Sequence, residues 1–184
     1  SVLEGAQIKA VLDALRGEFT VSDTAEITVE CNPSGDNFEE FILCCKQAGV
    51  NRISLGMQSA VDNERKKLGR RADRDTIHRR VEFIKSVGIS NISLDVMLGV
   101  PEQTMESLDS TLSFVLSLDV PHISAYILKI EEGTPFYKLL DKLSLADEDT
   151  VSDMYLHMCR VFEQAGFIHY EISNFCTCHE QRGI

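Results

Sequence analysis

The sequence predicts an α/β protein whose sheet is parallel and built from repeated strand–helix units. Three observations carry this prediction: strand-like and helix-like segments alternate, most strands are nearly continuous apolar runs, and three helices end on an equivalent glycine. Such runs are typical of strands covered on both faces, and a glycine just after a helix takes the left-handed conformation that ends it. The three equivalent glycines are Gly49, Gly88 and Gly166.

Five segments repeat apolar residues at the three- and four-residue spacing of amphipathic helices. Thr104 precedes the fourth segment and Asp147 or Asp149 the fifth. Side chains of this kind accept hydrogen bonds from the free N–H groups of a first helical turn, so we predict them as helix N-caps. The predicted helices cover 8–19, 38–45, 77–84, 105–115 and 151–165.

The segments between these helices are rich in β-branched and apolar residues, and we predict them as strands. An eight-unit barrel needs about 250 residues, whereas this chain has 184. The fold is therefore a smaller open sheet or a truncated, partial (β/α) barrel. One domain is predicted over 1–175 and a loose tail over 176–184. The four clear strands are 26–31, 52–57, 91–97 and 122–130, and a weaker fifth is 170–175.

The composition excludes several classes of protein. With 18 basic and 29 acidic side chains the formal net charge is −11, and so acidic a surface repels nucleic-acid phosphates. No apolar run reaches the roughly 18 residues of a membrane span. The six cysteines lack the density of a secreted disulfide scaffold, so we predict reduced thiols and a cytoplasmic location. Because the chain opens at Ser1, without Met and within a helical pattern, we expect an internal fragment.

Polar residues stand where the predicted strands end, which is where parallel α/β proteins gather their functional groups. These residues are Glu30, Gln58, Asp95 and Lys129. A carboxylate late in an apolar strand is costly unless it is paired or hydrogen-bonded. Glu30 and Asp95 therefore indicate either a ligand or metal site or a structural salt bridge. The available partners for a salt bridge are Arg52, Arg70 and Arg71.

One basic cluster covers residues 65–71 and reads RKKLGRR. On an acidic protein it is suited to an anionic ligand, although most of its side chains are predicted to form a solvated helix end. Gly69 breaks the helical pattern, so a turn there would aim one guanidinium inward, and Arg70 is the arginine next to this glycine.

The strand ends resemble a known family when they are taken together. Glu30 lies in VECNP, Gln58 in NRISLGMQS, Arg70 in KKLGRR and Asp95 in NISLDVMLGVPEQT. In this order the motifs resemble the oxygen-independent coproporphyrinogen oxidase-like radical S-adenosylmethionine (SAM) proteins. Residues 130–137, IEEGTPFY, are similar to the HemW branch of that superfamily, the haem chaperones.

The resemblance implies a (β/α) barrel of six units, of which this chain would supply about four parallel strands, with a [4Fe-4S] cluster and SAM at its mouth. Glu30, Gln58, Arg70 and Asp95 would line the SAM site, and Lys129 would contribute mainly through its backbone. It also implies that the whole protein handles haem or a porphyrin and passes haem to an acceptor protein.

The sequence also departs from the family. No CxxxCxxC motif and no GGGTP segment is present in the chain. We therefore expect a fragment that lacks the cluster ligands and is not catalytically competent alone. Two alternatives stay open: an oxygen-independent coproporphyrinogen oxidase, and an unrelated α/β barrel lyase or hydrolase that uses Glu30 and Asp95 on a divalent metal.

Overall fold

A computed structural model describes residues 3–134 and 136–177, which form one six-stranded sheet packed on helices. The strand order is β1-β2-β3-β4-β6-β5. The strands are Thr28–Cys31 (β1), Arg52–Gln58 (β2), Asn91–Leu98 (β3), His122–Ile127 (β4), Ile168–Glu171 (β5) and Asn174–Cys176 (β6). The helices are Gly5–Glu18 (α1), Phe38–Gln47 (α2), Asp62–Lys67 (α3), Arg74–Ser86 (α4), Met105–Ser117 (α5) and Glu148–Gln164 (α6), with a 3₁₀ helix at Tyr137–Lys142.

The first four strands are parallel, as predicted. Within the described residues the sheet stays open, with β1 and β5 at its edges, which agrees with the predicted partial barrel. The three glycines after α2, α4 and α6 all have positive φ. Thr104 and Asp147 cap α5 and α6 through their side chains, so Asp147 rather than Asp149 is the cap.

The prediction of the weaker fifth strand is corrected by the structure. Residues 170–175 do not form one strand but contain a turn at 172–173 between β5 and β6, which pair antiparallel. β6 also pairs antiparallel with β4, and in this pairing Cys176 lies opposite His122. Cys176 therefore belongs to the sheet and not to the predicted tail, while residues 178–184 lie outside the described residues.

The two faces of the sheet differ in chemistry. One face carries the apolar core against the helices, including Ile53, Leu94 and Ile123, which are completely buried. The opposite face carries a polar row, in which Ser54, Ser93, Asp95, His122 and Ser124 lie on adjacent strands. Polar side chains at matching positions of neighbouring strands therefore point away from the core and line the concave side expected of a partial barrel.

None of the helices in residues 3–134 and 136–177 is both long enough and apolar enough to cross a bilayer.

Candidate functional site

The sheet register places three predicted site residues on adjacent strands, with Glu30 and Gln58 at or next to the carboxyl ends of β1 and β2 and Asp95 as the fifth of the eight residues of β3. Glu30 is the third residue of the four-residue β1, Gln58 is the last residue of β2, and Gly56 of β2 pairs with Asp95 of β3. A Cβ atom placed on Gly56 would lie 3.2 Å from Gln58 Nε2 and 3.9 Å from Asp95 Oδ2. The amide nitrogen and the carboxylate oxygen therefore both lie next to the one position of β2 that has no side chain.

Asp95 is half-buried and has one hydrogen-bond donor among the described residues, the hydroxyl of Ser54, whose Oγ lies 2.9 Å from Oδ1. Burial raises the pKa of the Asp95 carboxyl, and the negative charge of Glu30 adds to that rise. The Ser54 hydrogen bond and the positive charges of Arg52 and Arg70 act against it. A further positive or hydrogen-bond-donating group beside Asp95 would therefore lower the pKa of this carboxyl and stabilise its ionised form.

Glu30 differs from the prediction, because its side chain is exposed rather than buried. β1 is an edge strand with alternating exposed and buried residues, so its polar side chains reach solvent. Within 3–134 and 136–177, neither Glu30 nor Asp95 forms an ion pair with any lysine or arginine. The salt-bridge alternative is therefore not what the described structure shows.

Gln58 occupies a bulge with a left-handed backbone, with φ of 70°. The Ser59 N–H donates to the Met57 carbonyl at 3.0 Å, which closes a three-residue γ-turn around Gln58. A γ-turn with positive φ is rare and strained. The Gln58 side chain is 6% exposed, and its amide makes no hydrogen bond to any described residue. A strained residue whose side-chain amide has no hydrogen-bond partner among the described residues is typical of a binding site.

Arg70 lies across a small cavity from Gln58. The cavity has a volume of about 180 Å³, and its other lining residues are apolar: Leu68, Met97, Leu128 and Phe136. Gly69, with φ of 68°, ends α3 and turns the chain so that Arg70 is half-buried while Arg71 is exposed. The Arg70 guanidinium has no carboxylate partner within the described residues. This arrangement matches the predicted orientation of the two arginines.

Lys129 does not face this cavity. Its side chain is exposed and its Nζ lies 2.9 Å from Glu131 Oε1. The preceding residue, Leu128, lines the cavity and donates its backbone N–H to the Leu98 carbonyl at 2.8 Å. Any contribution of Lys129 through its backbone stays a prediction.

The sequence did not identify Ser54 or the apolar wall of the cavity as parts of the site. A signal for Ser54 existed, because it occupies the same position in Ile53-Ser54-Leu55 as Ser93 and Ser124 do in theirs. Leu128 was predicted within the strand 122–130, but β4 ends at Ile127, so Leu128 lies in the irregular segment that follows. Phe136 also lies outside the strands and helices, where no periodicity marks it.

The prediction that most side chains of the basic cluster are solvated is also corrected in part. Arg65 was expected on a solvated helix end, yet it is only 2% exposed. Its Nη1 donates to the Ser59 carbonyl at 2.7 Å, and its Nη2 pairs with Asp62. Arg65 is therefore buried, and its guanidinium contacts the backbone of Ser59, the residue that follows Gln58.

The cavity combines the unpaired Arg70 cation and the Gln58 amide with an apolar wall, while the Asp95 carboxylate lies outside this lining, beside Gly56. A guanidinium binds a carboxylate ligand through two parallel hydrogen bonds, whereas amide and carboxylate oxygens accept from ammonium or hydroxyl groups. The site thus suits a small ligand with both an amino-acid end and a less polar body. Among the described residues, no group of three His, Cys, Asp or Glu side chains could hold a metal ion.

Comparison with known proteins gives a consistent result. Residues 5–115 match the family model of the radical SAM superfamily. The chain is 36% identical over 177 residues to the heme chaperone HemW of Lactococcus lactis and 37% identical over 176 residues to that of Bacillus subtilis. These matches cover 95% and 94% of this chain but 46% of each relative, so the chain spans less than half of their length.

The solved structure of the radical SAM enzyme coproporphyrinogen III oxidase (HemN) from Escherichia coli has a similar fold. It superposes with a TM-score of 0.83 at 23% identity and covers 95% of this chain and 40% of that one. At this identity the likeness concerns the fold alone. The comparisons confirm the family resemblance and the fold class predicted from the sequence.

Proposed function

The chain belongs to the radical SAM superfamily, and from this premise we propose that it forms part of a haem chaperone that binds SAM beside Gln58 and Arg70. The observation that carries the proposal is the cavity, in which the half-buried guanidinium of Arg70 and the amide of Gln58 both lack a hydrogen-bond partner among the described residues. The names and the identity of the relatives support the chaperone branch.

The described residues fit the chemistry of SAM. Arg70 would hold its carboxylate through a bidentate pair, and the Gln58 amide would bind the same amino-acid end. Asp95 and Glu30 would accept hydrogen bonds from the ammonium and ribose hydroxyl groups. When bound, SAM supplies a sulfonium group that one electron can reduce. The residues of this chain orient that group and keep it beside the apolar wall of Met97 and Leu128.

The described residues do not fit a [4Fe-4S] cluster. The thiols of Cys31 and Cys45 are buried, and burial raises their pKa values to about 12 and about 11, whereas a cluster ligand must be a thiolate. We therefore assign none of the described cysteines to a cluster, which in our proposal is held by a part of the whole protein outside this chain.

Haem is the proposed cargo of the whole protein, and a haem-accepting protein its proposed partner. Both proposals rest on the similarity to the chaperones. A cytoplasmic location is proposed because Cys31, Cys44, Cys45 and Cys159 form no disulfide in the described structure, as is usual in a reducing compartment.

The proposal is tested by titrating haem into the full-length protein and recording its visible absorption. We expect a saturable shift at one haem per chain and no conversion of coproporphyrinogen under anaerobic conditions with SAM and a reductant. Turnover of coproporphyrinogen without haem binding would instead support the oxidase alternative and contradict the chaperone proposal.

A further inference from the structure

The segment that follows Gln58 is held by hydrogen bonds from two helices. The Ser59 carbonyl accepts from Arg65 Nη1 at 2.7 Å, and the Ala60 N–H donates to the hydroxyl of Thr111 at 3.1 Å. The Ser59 hydroxyl accepts from the Val61 N–H at 2.9 Å. Three consecutive residues are thus fixed immediately after a strained turn. Strain of this kind persists only where the surrounding structure determines the backbone conformation.

Arg65 links this segment to Arg70. Its guanidinium holds the Ser59 carbonyl, while its own backbone carbonyl accepts the Arg70 N–H at 2.8 Å. Asp62 on the same helix pairs with its other terminal nitrogen. Arg65 therefore contacts the backbone beside both residues that face the cavity, although its own side chain does not line the cavity.

Glu64, the neighbour of Arg65, extends the connection to β3. Its Oε2 accepts from the Ser59 hydroxyl at 2.6 Å and from Gln103 Nε2 at 3.4 Å. The same Gln103 nitrogen lies 3.2 Å from the carbonyl of Met97, which lines the cavity. Glu64 is 2% and Gln103 is 6% exposed, so water competes little with these bonds.

From these contacts we infer that Arg65 is a positioning residue, whose guanidinium holds the backbone after Gln58 and so keeps the Gln58 amide in the turn that faces SAM. The inference rests on the proposed function, since it concerns how that site is kept in its binding geometry. A lysine at this position keeps the charge but cannot place two donors in the planar arrangement of a guanidinium. The held turn should then relax, and the Gln58 amide should leave its binding position.

The experiment measures SAM affinity by calorimetry in the full-length, cluster-loaded protein. We expect Arg65→Lys to weaken SAM binding about tenfold, since a buried hydrogen bond of a charged group is lost. The matched control is Lys66→Gln, because Lys66 is the exposed neighbour on the same helix; it should bind SAM as the wild type does. Thr111→Val removes the hydroxyl on α5 that accepts the Ala60 N–H, so it loosens the same segment from a different helix. Because this hydrogen bond is between neutral groups, SAM binding should weaken less than in Arg65→Lys.

A double-mutant cycle separates positioning from general destabilisation. If Arg65 acts through Gln58, then Arg65→Lys adds little to the loss already caused by Gln58→Ala, because the amide it positions is gone. Hydrogen exchange in the SAM-free protein supplies a readout independent of binding. Arg65→Lys should speed exchange of the Ala60 and Val61 amides, whereas Lys66→Gln should not.

Wild-type affinity in both Arg65→Lys and Thr111→Val, or fully additive losses in the cycle, would overturn the inference and leave the proposed function intact. A wild-type protein that binds no SAM would refute the proposed function. In that case, unchanged amide exchange in Arg65→Lys would overturn the inference as well.

Discussion

His122 makes the folded protein sensitive to acid. It is 1% exposed on the polar face of the sheet, and its pKa is lowered from 6.5 to about 4 by burial and by the neighbouring charge of Arg52. Its Nδ1 lies 2.8 Å from Ser93 Oγ and 3.4 Å from Arg52 Nη2, and its Nε2 lies 2.8 Å from the Tyr170 hydroxyl. A neutral ring that accepts at Nδ1 and donates from Nε2 satisfies all these contacts.

The sign of the pH effect follows from this shift. Because the folded pKa lies below that of the unfolded chain, the unfolded state binds more protons between pH 6.5 and about 4. The stability is therefore fully present above pH 6.5, falls as the pH drops through this window, and changes no further below it. The expected loss is about 2 kcal/mol at pH 5 relative to pH 7.5.

Urea unfolding of the wild type and of His122→Gln at pH 7.5, 6 and 5 measures this loss. Glutamine keeps a donor and an acceptor but does not titrate, so the difference in unfolding free energy between the two proteins should shrink by about 2 kcal/mol across the series. Three charged or titratable side chains face His122: Arg52, Tyr170 and Cys176 on the adjacent strand. Arg52 also forms an ion pair with Glu26. Parallel losses in both proteins would refute a neutral, buried His122.

Three further predictions concern the sheet and the helix α2 that packs on it. Gly56→Ala should weaken SAM binding in calorimetry, because its Cβ would lie 3.2 Å from Gln58 Nε2 and displace the amide; unchanged affinity would show that the amide is not used. Ser54→Ala should raise the pKa of Asp95 further, because the hydrogen bond that lowers it is lost. The pH below which SAM affinity is lost should then move upward, and an unchanged dependence of SAM affinity on pH would contradict a role for that carboxylate. Iodoacetamide at pH 8 should label half-buried Cys44 before Cys31 and Cys45, whose pKa values are about 12 and about 11; equal rates, followed by peptide mass spectrometry, would contradict their burial.

The positions of the site residues followed from the sequence for a simple physical reason. Parallel strands end at the same edge of a sheet, so Gln58 and Asp95 had to lie near each other once the strands were recognised. Gly69 interrupts the helical pattern and takes a positive φ, which turns Arg70 toward the cavity. Local chemistry and topology were therefore sufficient for where these three residues lie, whereas their role at a SAM site came from the family resemblance and stays a prediction.

Other features depend on tertiary packing that no local pattern reports. The burial of Arg65 was missed because α3 has only six residues, too few to show an amphipathic period, and because basic clusters are usually solvated. The turn at 172–173 joins β5 to β6 without glycine or proline, and the pair Ser173-Asn174 is too weak a turn signal to divide the segment into two strands. The exposure of Glu30 follows from the edge position of β1, which a single sequence does not reveal.

The most direct test of the proposed SAM site is a calorimetric titration of SAM into the full-length, cluster-loaded protein and its Arg70→Lys and Arg71→Lys variants. The two arginines are adjacent in sequence, but Arg70 lines the cavity and Arg71 is exposed. A charged hydrogen-bonded pair contributes about 1.5–3 kcal/mol, so Arg70→Lys should weaken binding about ten- to a hundredfold, while Arg71→Lys should bind as the wild type does. Equal losses in both variants, or a loss only in Arg71→Lys, would contradict the site.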